Sequence, residues 1–151
     1  MKAIIITLAI LMNINMFAAQ VASTDGMYLD KNNKPLNGLY EEKYDNGKLK
    51  LSVNVINGKK DGEVKIYFEN GILNEIRSYK NGIKNGKWVK YNDNGIKTAE
   101  AYYINDQKDG KWVIWDENGI KRYEMFYENG QRKGIWKTWN ETGELMNEKS
   151  Y

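Results

Sequence analysis

The sequence has no cysteine, no histidine and a single proline, Pro35, among 151 residues. Without cysteine there is no disulfide, no thiolate metal site and no lipid anchor on a cysteine. Without histidine the commonest metal ligand and the usual general base at neutral pH are missing. Ser23, Ser52, Ser78 and Ser150 thus have no imidazole to activate them. Charge of one sign is scarce too: 23 basic and 20 acidic residues give a net of +3. A nucleic-acid binder would cluster its Lys and Arg, so nucleic acid is not an expected partner. Beyond the N-terminus the apolar content leans on 11 Tyr and 5 Trp against 3 Phe. These amphipathic rings suit half-exposed surfaces better than a sealed core. The length fits one domain, but the composition argues against a compact two-layer one. No catalytic residue, cofactor or metal is expected.

The long hydrophobic run is confined to the first residues. Lys2 precedes an apolar stretch over 3–12, and small residues follow in "FAAQVAS". This is the pattern of a secretory signal peptide, assigned to 1–22, with Ala18 and Ala19 as alternative cleavage points. The run is about half the ~20 residues that a spanning helix needs, and Asn13 and Asn15 interrupt it. An uncleaved anchor and a buried helix are the alternatives. The expected location is secreted, periplasmic or at the cell surface, and not as a lipoprotein.

What the chain does contain is a repeat. Gly38, Gly62, Gly86, Gly110 and Gly134 fall at a constant spacing, as do Gly47, Gly71, Gly95, Gly119 and Gly143, and Asn57, Asn81, Asn105 and Asn129. Five units on a 24-residue period follow, over 38–61, 62–85, 86–109, 110–133 and 134–151, with 23–37 as a degenerate half-repeat or cap. Each unit carries two turn signals: "DNG", "ENG" or "ETG", then Asn-Gly or Asn-Asp. Asn-Gly favours tight hairpins because both residues tolerate positive φ. The intervening segments, such as "EVKIYF" and "AEAYYI", are β-favouring. Each unit is therefore expected to be a hairpin, a shorter strand followed by a longer one. Sequential strands usually pair. The expected fold is all-β, an elongated single-layer antiparallel meander of about ten strands, in which each unit rests on its neighbours.

The array "NGKWVKYNDNGIK…YYIND" resembles the variant class of MORN repeats (membrane occupation and recognition nexus). The resemblance covers about 27–151. It implies stacked hairpins in an extended sheet and a scaffold or interaction role. Some members are antitoxin-like, and classical MORN repeats are linked to membranes. It brings no catalytic residue.

Two aromatic series stand out as candidate binding residues. The third position of the unit gives Trp88, Trp112 and Trp136, and the sixth gives Tyr91, Trp115 and Trp139. Three residues apart on a strand, they fall on opposite faces unless a bulge intervenes. Tyr103 and Tyr127 belong to a further ladder on the longer strand. Stacking between units is one reading of these rings; a sticky surface for protein or glycan is the other. Glu100, Glu124 and Glu148 also recur, and a ladder with neighbouring Lys and Arg explains them better than a glycosidase pair. Lys59, Lys60, Lys84, Lys108, Arg132 and Lys133 read as solvated turn charges, or alternatively as a basic edge for anionic lipid headgroups or a cell-wall polymer. The functional expectation is an exported, non-catalytic protein-interaction or scaffold module at or outside a bacterial cell envelope, or at a host surface. A glycan-binding module and an antitoxin or immunity protein are the alternatives. The open sheet edges make edge-to-edge homo-oligomers an additional expectation.

Overall fold

The computed structural model describes residues 26–151. The leader assigned to 1–22 and the start of the cap lie outside the described residues. Eleven strands form one antiparallel sheet: β1 (Gly38–Lys43), β2 (Leu49–Ile56), β3 (Lys59–Tyr67), β4 (Leu73–Lys80), β5 (Ile83–Tyr91), β6 (Lys97–Ile104), β7 (Gln107–Lys108), β8 (Gly110–Trp115), β9 (Lys121–Glu128), β10 (Gln131–Trp139) and β11 (Leu145–Ser150). Ten follow one another across the sheet in chain order, and the two-residue β7 pairs with β6. Strand β7 is the head of the β8 strand, split from it at Asp109, whose N–H turns aside to the Tyr102 carbonyl at 3.0 Å. The substantial contacts all join sheet neighbours. No helix is present among the described residues, and none long and apolar enough to cross a membrane.

Two kinds of turn alternate. On one edge, Asn57-Gly58, Asn81-Gly82, Asn105-Asp106 and Asn129-Gly130 form two-residue loops with positive φ at both positions, the geometry that follows the strand twist. The second N–H of each loop reaches back a strand pair: Gly58 to the Leu36 carbonyl, Gly82 to Lys60, Asp106 to Lys84 and Gly130 to Lys108, all at 2.7–2.9 Å. On the other edge, Gly47, Gly71, Gly95, Gly119 and Gly143 each donate to the carbonyl three residues earlier. These turns are also tied together, with the amides of Asn46, Asn70 and Asn92 donating to the carbonyls of Glu69, Asp93 and Glu117. Both edges are therefore laced at unit spacing, which holds a single-layer sheet without a second layer.

Asp106 stands where its equivalents are glycine, at φ 65°, and its carboxylate accepts the Lys84 N–H at 2.9 Å. Asp106→Ala keeps the left-handed strain and loses that bond, so it is expected to cost about 1–2 kcal/mol. Asp106→Gly relieves the strain while losing the bond, and is expected to stay within about 1 kcal/mol of the parent. Urea melts of the two variants check this; equal destabilisation would contradict it.

Two departures from the sequence expectation matter for the surface. The strands are near-equal, because β3, β5 and β10 begin before the first glycine series rather than at it. Gly62, Gly86 and Gly134 thus lie inside strands, where the ladder is interrupted: two residues are gained between Val64 and Lys60, Trp88 and Lys84, and Lys137 and Lys133. An even insertion leaves the faces unchanged. The second departure is a bulge near the other edge. Tyr91 pairs with Lys97 while Lys90 pairs with Ala99, so Thr98 is extra. Lys50, Asn74, Arg122 and Met146 are extra at the equivalent places.

Deep burial is sparse. Among the described residues the buried hydrophobics are Tyr28, Tyr40, Val53, Val55, Val64, Val89 and Val113, and no charged or polar residue is buried. The cluster of Tyr28, Tyr40 and the first three valines closes one end of the array. Tyr28 packs edge-on against Tyr40 at 5.0 Å, held by its N–H on the Gly58 carbonyl. Burial, and then the 2.6 Å bond to Glu42, push the Tyr40 hydroxyl up to about 12.

Candidate functional site

The first face carries one continuous line of rings. Tyr79, Trp88, Tyr103, Trp112, Tyr127, Trp136 and Tyr151 follow each other with centroids 4.7–5.7 Å apart, tilted or edge-on. Each such pair contributes about 0.5–1.5 kcal/mol beyond area burial. The line continues from the valine cluster, because Val55 and Val64 occupy the positions of Tyr79 and Trp88 one unit earlier. The indole N–H groups are fixed as well. Trp88 donates to the Ser78 carbonyl at 3.2 Å, Trp112 to Tyr102 at 3.1 Å and Trp136 to Phe126 at 3.1 Å. Ser78, Tyr102 and Phe126 hold equivalent positions at or beside the ladder interruption, and the Tyr102 carbonyl also accepts the Asp109 N–H, so the indoles anchor to the backbone where the regular ladder breaks.

Cations are interleaved with the rings. Lys84 lies 5.1 Å from both the Trp88 and the Tyr103 centroids, and Lys108 lies 4.6 and 4.8 Å from Trp112 and Tyr127. Arg132 spans Trp136 and Tyr151 in the same way, and Lys60 covers Tyr79. This corrects the reading of Lys60, Lys84 and Lys108 as solvated turn charges: they are half-buried, and burial lowers the pKa of Lys60. The signal was present in the sequence as a basic residue repeated at the ring period, but the strand start that places it beside the rings was not.

The second face carries Tyr91, Trp115 and Trp139. A bulge does intervene beside these positions, yet its extra residue is on the partner strand, so the three-residue spacing still separates the two aromatic series. The bulge instead acts on the lysines. With Thr98 and Arg122 extra, Lys97 and Glu100, and Lys121 and Glu124, meet on one face although three apart. Glu100 is held by Lys87 at 3.1 Å and Lys97 at 2.9 Å, and Glu124 by Lys111 at 2.8 Å and Lys121 at 3.1 Å. Lys97 also covers the Trp115 ring and Lys121 the Trp139 ring, each at 4.5 Å. All eight candidate rings are therefore half-buried; none is fully exposed.

Hydrogen bonds from Lys111 and then Lys121 hold the Glu124 carboxyl below its usual pKa of 4.5 against opposing desolvation. Burial opposes the same shift at Glu100, where Lys97 and Lys87 prevail. Carboxylates so paired remain ionised and hold no proton for general acid catalysis. A depressed native pKa gives stability that is present above the unfolded value and lost as the pH falls through the native one. Stability is therefore expected to decline on acidification below about pH 4.5, and Glu124→Gln to flatten that decline. Thermal melts from pH 7 to 3 check it; a parallel decline in the variant would contradict the assignment.

No group of three or more acidic residues able to hold a metal occurs among the described residues. No curated protein matches the chain. The family model of the MORN repeat variant matches residues 36–57, 60–81, 84–105, 108–129 and 132–151. From the second match on, each starts at the cation of the ring ladder, Lys60, Lys84, Lys108 or Arg132, and together the five matches cover well over half of the sequence. With the hairpin array described above, they show that this chain belongs to the MORN repeat variant family.

Proposed function

We propose that the protein is an exported, non-catalytic interaction module that binds another protein at or outside the bacterial cell envelope. MORN repeats in general are protein- or membrane-interaction modules, and their proteins are generally non-catalytic. The N-terminal pattern supports export. The observation that carries the binding role is the open single layer: both faces present half-exposed rings and paired charges at fixed spacing. On the first face Ile114 and Tyr123 stand opposite each other across β8 and β9, 38% and 46% exposed. They contribute little to the core, so they offer apolar area to a partner. A second copy could use the edge of β11, whose residues are all exposed.

A glycan-binding role is the second reading, favoured by the Trp content. Sugar stacking needs a free ring face, whereas lysines or an arginine already cover Trp88, Trp112, Trp115, Trp136 and Trp139. This favours protein over sugar. An immunity-like role is a special case of protein binding, with an extracytoplasmic target.

The test has two arms. Cell fractionation of the full-length protein is expected to find it outside the cytoplasm, and Ile5→Arg with Leu8→Arg to retain it inside. Cross-linking in cells is expected to give a discrete partner band that Ile114→Ser with Tyr123→Ser removes while the melting temperature stays within a few degrees. Cytoplasmic parent protein, or binding to wall glycan unaffected by these changes, would overturn the proposal.

A further inference from the structure

The bulge residues mark a row of niches along the edge of the "DNG" turns. In the last complete niche Arg122 is the extra residue. Its Nε donates to the Trp139 carbonyl at 3.1 Å, and its Nη1 lies 3.6 Å from the Asp116 carboxylate. In the first, the Tyr44 hydroxyl donates to the Tyr67 carbonyl at 2.7 Å. Tyr67 and Trp139 hold the same position in their units as Tyr91 and Trp115. At those two middle positions no side-chain donor reaches the carbonyl among the described residues. Asn74 and Thr98, which replace Arg122 there, are too short to do so; Thr98 turns its hydroxyl to the Lys90 carbonyl.

An open groove of about 600 Å³ lies there instead. Tyr91, Trp115, Asn74, Asp93, Asp116 and Glu117 are among the residues that line it. The Asn74 Oδ1 is buried and has no hydrogen-bond donor. The carboxylates of Asp93 and Glu117 make no hydrogen bond or ion pair, while Asp116 accepts from Asn118 and Ile120 and faces Arg122. The nearby cations are Lys90, which also lines the groove, Lys97, which lies over Trp115 and is matched by Glu100, and Arg122, which is matched by Asp116.

We propose that this groove receives an arginine side chain of a partner protein, placed as Arg122 is placed one unit further on. The proposal rests on the protein-binding reading above and adds the chemistry of the contact. A guanidinium is planar and carries several donors, so it can serve a backbone carbonyl and a carboxylate together while lying against the Tyr91 ring, over which no cation lies among the described residues. A lysine ammonium is a point charge and cannot reproduce the fork. The unpaired carboxylates of Asp93 and Glu117 steer a cation into the groove.

The test titrates the short neutral-backbone peptide acetyl-Gly-Arg-Gly-amide into the 15N-labelled protein. The expected result is saturable shifts of the Trp115 indole and Asn74 side-chain resonances. The lysine analogue is expected to bind several-fold more weakly and the glutamate analogue not at all. Asp93→Asn with Glu117→Gln is expected to weaken binding about tenfold. Thr98→Arg supplies the guanidinium from within. It is expected to abolish peptide binding while leaving the melting temperature unchanged or raised. Equal binding of the arginine and lysine peptides, or undiminished binding by Thr98→Arg, would overturn the proposal. Loss of the cross-linked partner on Ile114→Ser with Tyr123→Ser is independent of this groove. A failure here with that result intact removes only the arginine contact.

Discussion

Trp112→Ala is expected to lower the unfolding free energy by about 3–5 kcal/mol, the range for truncating a large aromatic in a packed site. The indole touches Tyr103 at 5.2 Å and Tyr127 at 5.3 Å, carries Lys108 at 4.6 Å and donates to the Tyr102 carbonyl. Its removal opens the ring line at mid-array. In a quasi-one-dimensional protein such a gap weakens the coupling of both halves, so the urea transition is expected to broaden as well as shift. Trp112→Phe keeps a ring and loses the N–H, and is expected to cost about 1–2 kcal/mol. Trp115→Ala, on the other face, removes a lysine-capped ring without an indole hydrogen bond and is expected to cost less than Trp112→Ala. Equal losses for the two tryptophans in equilibrium urea unfolding would contradict the division between them.

Gly86→Ala is expected to cost about 2–3 kcal/mol. Gly86 has φ 108°, and a Cβ there would lie 3.0 Å from the Ser78 Cβ. Both atoms belong to stiff positions at the ladder interruption, where the Trp88 indole also docks, so neither can give way without moving the ring line. Gly95 is the control. It has φ 78° and its Cβ would meet Ile72 Cγ2 at 3.8 Å, an ordinary contact. Gly95→Ala is expected to cost about 1 kcal/mol, the left-handed strain alone. Thermal melts that show the two alanines to be equally harmful would mean that the interruption is not a packed feature.

The contrast between these glycines shows what the sequence made legible. The 24-residue spacing gave the turns, the all-β meander and the opposite placement of Trp88 and Tyr91, because Asn-Gly turns are read from neighbouring residues. The ladder interruption at Gly86 and the bulge at Thr98 were not legible. Both depend on how two strands align across the sheet, and no local residue pattern encodes that alignment. Their consequences were hidden with them: Lys84 reaching two rings, Lys97 meeting Glu100, and Arg122 filling a niche that Thr98 leaves open. The spacing placed the rings in register, but which of them are anchored through the backbone follows only from the carbonyls of Ser78, Tyr102 and Phe126. The cap was half visible, since Asn33 shares the positive φ of Asn57, while the burial of Tyr28 against Tyr40 needed the fold.

Two aromatic series of one repeat do different work: one is a backbone-anchored line that holds the sheet, the other lies under paired lysines and glutamates with no indole bond to the backbone. Hydrogen exchange of the five indole N–H groups, resolved by NMR, tests it most directly. The account predicts slow exchange at Trp88, Trp112 and Trp136, whose N–H groups are bonded to strand carbonyls, and fast exchange at Trp115 and Trp139. Five indoles exchanging alike, or protection of the second pair alone, would contradict it.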